Sequence, residues 1–459
     1  MIQKIILSPF QKFVKIESFS GILLLIATII AMLWANSPFG ESYQSLWQYK
    51  IGFSTQNFEL SKPLLLWVND GLMAIFFFLI GLEIKREFLI GELNSVKKVA
   101  FPLFGALGGM LFPVLMFFVL NNKVETSVGW GIPMATDIAF SLAVLKVLGD
   151  RVPLSLKLFL TAFAIVDDIG AVLVIAVFYS GNVSIALLFV AMVLLGILYF
   201  LSLKGYYSKF LIIIFGIAIW VLFLKSGIHP TIAGILLAFS VPVRQKIDTP
   251  TFIDKLVTIT NNIKKAAVSK KPILCKEQIE QIDDLEDWTN RYQSPLQHLE
   301  HKLHDWVAYF IIPVFALANA GVFISRGVEI DENLIWTIIL CLVLGKSIGI
   351  SSVILITKKI RLVEIPEEIT HRHIIGVSFL AGIGFTMAIF IASLAFESNP
   401  IYIDSAKIGI LIGSLISAII GYIILRTTGK KSFRNANKNS AIQSEDDYLG
   451  IPCSQKNKG

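Results

Sequence analysis

Residues 154–179 read LSLKLFLTAFAIVDDIGAVLVIAVFY, a largely apolar run with Asp167 and Asp168 side by side near its middle. At about 1.5 Å of rise per residue such a run is long enough to cross a bilayer core as a helix. A carboxylate at the centre of a membrane helix costs roughly 2.5–3.5 kcal/mol, or about 5–7 for the pair by simple addition. Adjacent helical residues point about 100° apart. The two side chains therefore fit only a helix that is enclosed by protein or borders a water-filled cavity, which is the geometry of a transport site.

The rest of the chain agrees with a membrane setting. Of its 459 residues 55% are hydrophobic and 16% charged, with a mean hydropathy of +0.72; a soluble domain carries about 25% charge. Apolar stretches recur at 18–36, 64–84, 99–120, 129–148, 154–180, 183–203, 209–226, 228–243, 303–324, 333–357, 373–396 and 405–426. They predict an all-α polytopic membrane protein of twelve transmembrane helices. The net charge of +7 is not a nucleic-acid footprint, because of where it falls. With a cytoplasmic amino terminus, 33 of the 40 Lys and Arg lie on the cytoplasmic side, 6 on the other, and Lys346 lies within a span. This asymmetry places both termini in the cytoplasm. The first span follows Lys4, Lys12 and Lys15 but is long and has no convincing cleavage site, so it reads as an uncleaved helix. Cys275, Cys341 and Cys453 are scattered and give neither a disulfide framework nor a metal spacing. No cofactor is expected, and no enzymatic activity.

The domain organisation follows. Residues 1–243 carry spans one to eight, and 301–426 carry spans nine to twelve. Between them, 244–300 form a polar cytoplasmic insertion with a helix start at Thr249 and Pro250, a mixed-charge helical stretch near Lys276–Arg291, and too little apolar content for a core. The tail, 427–459, reads as disordered. From Trp47 to Leu60 aromatic or aliphatic residues alternate with polar ones around Gly52, Ser54 and Asn57, which predicts a small β-hairpin on the outer surface.

Two spans carry internal break signals. In the fourth, Gly129, Gly131 and Pro133 precede Thr136 and Asp137. In the eleventh, Gly382 and Gly384 stand in Ala-Gly-Ile-Gly-Phe-Thr-Met, with Thr386 beyond. Interrupted segments in corresponding positions of two halves mark secondary-transporter sites. The three-span blocks 99–180 and 333–426 enter the membrane with opposite orientation, which allows an inverted repeat.

Asp167 and Asp168 offer titratable oxygens that suit either a hard alkali cation or protons. Competition between these two ligands is the simplest antiport chemistry, since loading one expels the other. Asp137 has two readings: it compensates the positive end of a half-helix, or it binds the cation. Lys346, in Leu-Gly-Lys-Ser-Ile-Gly, needs a carboxylate partner; it either pairs with Asp167 and carries a proton, or neutralises half-helix ends, and the two roles are compatible. Glu83 and Glu87 are four apart on one helical face with Arg86 beside them, either a solvated helix end or a regulatory group. Glu300, His301 and His304 open the ninth span on the same side and read as a proton-responsive cluster, since histidine as a residue type switches charge near physiological pH.

Several strings together resemble the NhaA-type bacterial Na+/H+ antiporters. They are Trp-Val-Asn-Asp-Gly-Leu-Met-Ala-Ile-Phe-Phe at 67–77, Gly-Leu-Glu-Ile-Lys-Arg-Glu at 81–87, Ala-Thr-Asp-Ile-Ala-Phe at 135–140 and Val-Asp-Asp-Ile-Gly-Ala at 166–171. Further along stand Ser-Gly-Ile-His-Pro-Thr-Ile-Ala-Gly at 226–234, Leu-Glu-His-Lys-Leu-His at 299–304, Ala-Asn-Ala-Gly-Val at 318–322 and Gly-Ile-Gly-Phe-Thr-Met at 382–387. The resemblance implies twelve helices, with the fourth and eleventh broken and crossing near the midplane. It makes Asp167 and Asp168 the residues that bind Na+, Li+ or protons, sets Thr136 and Asp137 at the broken fourth helix, and makes Lys346 the buried lysine of the tenth. It puts Glu83, Arg86, Glu87, Glu300, His301 and His304 in a cytoplasmic funnel tied to pH activation. It also implies a homodimer joined through the outer hairpin near residues 45–60, and electrogenic Na+ export driven by inward proton flow. Two features depart from the pattern: the insertion at 244–300 is long, and Val-Pro-Val-Arg-Gln-Lys at 241–246 lacks an acidic residue expected after span eight.

Rival readings make different demands. A proton- or sodium-coupled solute symporter of similar fold needs a recognition site for an organic solute, and the broken spans hold no aromatic or Arg cluster to provide one. An intramembrane aspartyl protease needs its two aspartates on separate helices, whereas here they adjoin on one.

Overall fold

In the computed structural model, the described residues are 9–54, 59–91, 96–181, 183–244, 247–266, 274–323 and 329–446. A helix stands at each expected span. By length and composition eight helices among the described residues can cross a membrane, or ten when two bent pairs are each counted as one. The eighth span contributes only Thr231–Ser240, a ten-residue helix of about 15 Å that is too short to cross alone. Its start is set by Gly227 in the left-handed region at φ 86° and by Pro230. Its end is capped from span two: the Lys85 ammonium donates to the carbonyls of Phe239 and Val241, each at 2.6 Å. A cation there complements the negative end of the helix.

The chain divides into two compact units. One comprises residues 1–22, 97–167 and 327–459, and so holds spans three, four, ten, eleven and twelve. Within it, spans three and ten touch backbone to backbone: a Cβ at Gly108 would lie 2.4 Å from the Gly349 carbonyl oxygen, and one at Gly349 would lie 2.2 Å from that of Gly108. Small residues at such a crossing let membrane helices pack closely where no hydrophobic force drives them together. Span ten, Glu332–Lys359, has a π-helical turn at Cys341–Gly345, immediately before Lys346. Such turns disturb the regular backbone ladder and are frequent at functional sites.

The other unit comprises residues 23–96 and 168–326. Here Phe78 and Leu82 of span two pack with Ile212 of span seven, Ala238 of span eight and Leu296. Ala191, Leu195, Ile219, Phe223 and Ala233 form a second cluster. Spans six and seven otherwise present Leu, Ile and Phe outward, Ile185, Phe189, Phe210 and Ile213 among them, as a lipid-facing surface requires.

The hairpin exists, displaced by a few residues from its expected limits. Lys50–Ser54 pairs antiparallel with Glu59–Pro63, Lys50 opposite Pro63 and Ser54 opposite Glu59; residues 55–58 lie outside the described set. Trp47 is not part of it. It belongs to a short helix, Gly40–Gln48, that turns 112° from the first span and buries Tyr43 and Trp47 on one face. The alternation that starts at Trp47 becomes a strand from Lys50 onward. In the insertion, Thr249–Ala266 and Lys276–Tyr292 are helices, as the sequence predicts. The last helix runs from Pro400 to Asp446, so the first twenty residues assigned to a disordered tail are helical, and 447–459 lie outside the described residues.

Candidate ion-binding site

The fourth span is interrupted where its glycines and proline fall. Ser127–Met134 is a 3-10 helix, Ala135 is extended, and a regular helix resumes at Ile138. Pro133 lacks an amide donor and disfavours helical backbone at the residue before it, which weakens the ladder at that point. The eleventh span breaks after Ala381 and resumes at Phe385, bent by 43°.

The two breaks bind each other through groups that a continuous helix would have satisfied internally. The Asp137 amide donates to the Ile383 carbonyl at 2.6 Å. The Thr136 hydroxyl donates to the Ala381 carbonyl at 3.0 Å, and the Ser141 hydroxyl to that of Leu380 at 2.8 Å. Glycine is required here, because a Cβ at Gly384 would sit 2.9 Å from the Ala135 carbonyl oxygen.

Asp137 serves two helix starts at once. Its Oδ1 accepts from the Phe140 amide at 3.1 Å, as N-cap of the resumed fourth span. Its Oδ2 accepts from the Thr386 amide at 3.1 Å and the Thr386 hydroxyl at 2.7 Å, at the start of the resumed eleventh span. The first amides of a helix lack internal partners and carry partial positive charge. One carboxylate thus answers both half-helices, and both of its oxygens are engaged.

Lys346 reaches the same place from span ten and is fully buried. Its ammonium donates to the Thr136 hydroxyl and to Asp167 Oδ2, the latter at 3.0 Å. Both side chains of this ion pair are completely shielded from solvent. Asp167 Oδ1, also buried, has no hydrogen-bond partner among the described residues. A buried carboxylate oxygen left unpaired is costly unless something else occupies it. Asp168 follows on the same helix and is also buried. Thr136, Asp137, Asp167 and Lys346 are thus brought together, with Thr386 and Ser141 added.

A second group of sequence-predicted residues forms around Arg86. Its Nε donates to Glu300 Oε1 at 2.9 Å, and its Nη1 lies 2.9 Å from Glu87 Oε1. His304 Nδ1 stands 3.8 Å from Glu83 Oε1. Glu300, on the helix Pro295–Trp306 ahead of the ninth span, is raised to about 7; burial drives the rise, Arg86 acts against it, and Glu83 adds to it. His304 is buried with this group, whereas His301 is on the exposed side of its helix.

The family model described as Na+/H+ antiporter 1 matches residues 11–425. The chain belongs to that family. It is 45% identical to the Na(+)/H(+) antiporter NhaA of Oleidesulfovibrio alaskensis over 92% of this chain and 94% of the relative. Likewise it is 43% identical to the protein so named from Bacteroides thetaiotaomicron, over 92% and 98% of the two chains, and to that of Wolinella succinogenes over 90% and 92%. Similarity of this extent covers every span from the first to the twelfth.

In this member of the family, several polar residues have partners that no local sequence pattern announces. Lys85 was passed over inside the Gly-Leu-Glu-Ile-Lys-Arg-Glu string, and only the fold reveals the helix end that it caps. Asp70 pairs with Lys62 of the hairpin at 2.8 Å, and its other oxygen faces His229 Nε2 at 3.6 Å. The π-helical turn around Asp70 gives no sequence signal. Thr386 stood in a quoted string, but its bond to Asp137 spans 249 residues and no local pattern announces it.

Proposed function

We propose that this chain is a Na+/H+ antiporter of the bacterial inner membrane, with Na+ (or Li+) and protons competing for Asp167 and Asp168. The observation that carries the reading is the state of Asp167: one buried oxygen paired with Lys346, the other with no hydrogen bond among the described residues. In the proton-loaded state Lys346 is an ammonium paired with Asp167, and Asp168 holds a proton. Na+ arriving at Asp167 and Asp168 draws Asp167 away from Lys346. The lysine loses its proton because a buried ammonium without a carboxylate is untenable, and Asp168 releases the second. Two protons then exchange for one Na+, so each cycle moves one net charge and responds to membrane potential as well as to ΔpH.

Asp137 has the structural half of this work, holding two helix starts while the cation is bound elsewhere. Thr136 gives the lysine a neutral partner in both states. Glu83, Arg86, Glu87, Glu300 and His304, with His301 at their edge, form the pH-responsive group: Glu300 changes charge near neutrality. The excess of Lys and Arg on one side supports a cytoplasmic location for both termini, and the outer hairpin at residues 50–63 is the surface for a homodimer.

The test is exchange in everted membrane vesicles, read as dequenching of a ΔpH-sensitive dye on addition of Na+, Li+ or K+. Wild-type vesicles respond to Na+ and Li+, and Asp168→Asn vesicles with normal protein levels do not. A near wild-type Na+ response from Asp168→Asn removes that residue from the site.

A further inference from the structure

Lys85 and Arg86 are neighbours on span two and point about 100° apart, so they grip different elements. Lys85 donates to the carbonyls of Phe239 and Val241 at the inner end of span eight. Arg86 donates to Glu300 on the helix Pro295–Trp306. Those two elements are themselves joined. The Leu296 amide donates to the Pro242 carbonyl at 3.2 Å, and the Ser294 hydroxyl to that of Val243 at 2.6 Å. Ser294 holds the N-cap position of its helix but makes no side-chain cap there; its hydroxyl goes to the end of span eight instead. The bonds therefore close a ring that leaves span two at Lys85 and returns to it at Arg86.

Close packing backs the ring. A Cβ at Gly81 would lie 2.7 Å from the Ala238 Cβ, and one at Gly234 would lie 2.2 Å from the Ala74 carbonyl oxygen. Leu296 is fully buried in one cluster with Phe78, Leu82, Ala238 and Val241. The insertion departs after Val243 and returns at Ser294, so the bond between these two residues closes its neck.

We propose that Lys85 is a positioning residue for Glu300: by fixing the inner end of span eight it fixes the seat of the helix Pro295–Trp306, and so the reach of Glu300 to Arg86. The last carbonyls of a helix lack internal partners, and hydrogen bonds from an ammonium are roughly twice as strong as neutral ones. Lys85 is therefore the firm joint of the ring. Its effect on pH response follows from the role of Glu300 as the titrating member of the group described above. The charges that act on Glu300 are Arg86 and Glu83 of span two and His304 of its own helix, with Glu87 paired to Arg86. On that same helix His301 and Lys302 are exposed, and Lys209 of span seven turns to His298. Burial raises the Glu300 carboxyl and Arg86 opposes the rise. Loosening the seat draws the pair apart, and the carboxyl then holds its proton to higher pH.

The experiment follows hydrogen exchange of the backbone amides 294–300 in the full chain in lipid nanodiscs, and Na+-driven exchange against pH in everted vesicles. Lys85→Met removes the donor and keeps the stem. Ser294→Ala opens the ring at its other joint without changing any charge. Lys85→Met should speed exchange of those amides by about tenfold, and Ser294→Ala by less. Both should move the midpoint of the pH profile upward, by about half a unit for Lys85→Met, with the apparent KM for Na+ at the best pH unchanged. Lys85→Arg should restore both readouts. Wild-type protection in Lys85→Met, or lost protection with an unmoved profile while Glu300→Gln still moves it, overturns the proposal. A profile moved by Lys85→Met but not by Ser294→Ala assigns the effect to the lost charge and overturns it too. If Lys85→Met does not fold, Ser294→Ala decides by the same two readouts. If Glu300→Gln itself leaves the profile in place, the pH role of Glu300 has failed, and protection at 294–300 alone decides whether Lys85 seats the helix.

Discussion

Replacing Lys346 by Gln should destabilise the protein far more than the loss of one hydrogen bond would. Lys346 is fully buried and is paired with Asp167 at 3.0 Å, and the other oxygen of Asp167 has no hydrogen-bond partner among the described residues. With the ammonium gone, a carboxylate stands in the interior with no positive charge to pair with. Removing one partner of a buried ion pair costs about 3–5 kcal/mol, whereas replacing both is often nearly neutral. Scaled to a chain of this length, 1 kcal/mol moves a thermal midpoint by about 1–2 °C, so Lys346→Gln should lower it by roughly 3–10 °C. The double variant Lys346→Gln with Asp167→Asn should recover part of that loss, since no buried charge is stranded. The assay is the thermal midpoint of purified protein for wild type, both single variants and the double, in one detergent at one pH. Coupling between residues in one network runs to about 0.5–3 kcal/mol. Losses that simply add across the four proteins would refute the pairing and leave Lys346 as a neutraliser of the broken helices.

Asp137→Asn turns one acceptor oxygen toward backbone donors as an NH2, with an expected loss of about 1–3 kcal/mol; the folded fraction should keep its apparent KM for Na+, and a tenfold rise in KM at an unchanged thermal midpoint would instead make Asp137 a cation ligand. For Glu300, raised to about 7 from 4.5, the native state binds more protons than the unfolded state between those values, so the group's contribution to stability falls as pH rises from about 4.5 to 7. Glu300→Gln should flatten that part of the thermal midpoint against pH and shift the pH at which exchange turns on; an unchanged profile in both would exclude Glu300 from the response. Replacing residues 249–292 by a short flexible linker should leave turnover at the best pH largely intact, since Ser294 and Val243 already close the root; loss of all exchange at every pH, measured in vesicles with normal protein levels, would make the hairpin part of the transport machinery.

The parts of the fold that were legible in the sequence are those fixed by local chemistry. Apolar length marks a span wherever a segment must satisfy its backbone within lipid, and glycine with proline marks a break. That was enough for the fourth and eleventh spans, because Gly129, Gly131, Pro133, Gly382 and Gly384 act on the backbone where they stand. It was enough for the insertion as well, where Thr249–Pro250 starts a helix and a mixed-charge run continues one. It found the hairpin but set its start a few residues early, since Tyr43 and Trp47, four residues apart, fit a short amphipathic helix and the first strand begins at Lys50. It failed past Arg426, since polar composition does not stop a helix that is already formed and adding residues to it costs far less than nucleating a new one.

The candidate site shows where local reading ends. Asp167 and Asp168 stood out because their cost in lipid is a property of each residue alone, and Lys346 stood out for the same reason. What each does is set by a partner far along the chain: Lys346 lies 179 residues from Asp167, and Thr386 lies 249 from Asp137. Two readings of Asp137 were open from the sequence because both need a carboxylate beside a break. The difference lies in its oxygens. A cation ligand keeps lone pairs directed at an open position, but both oxygens of Asp137 are occupied by the starts of two half-helices. Asp167 has the opposite arrangement, with one oxygen held by the Lys346 ammonium and the other without a hydrogen-bond partner among the described residues. In the proposed cycle, charge compensation and cation exchange would be divided between two carboxylates, so the broken helices would keep their counter-charge when the cation leaves.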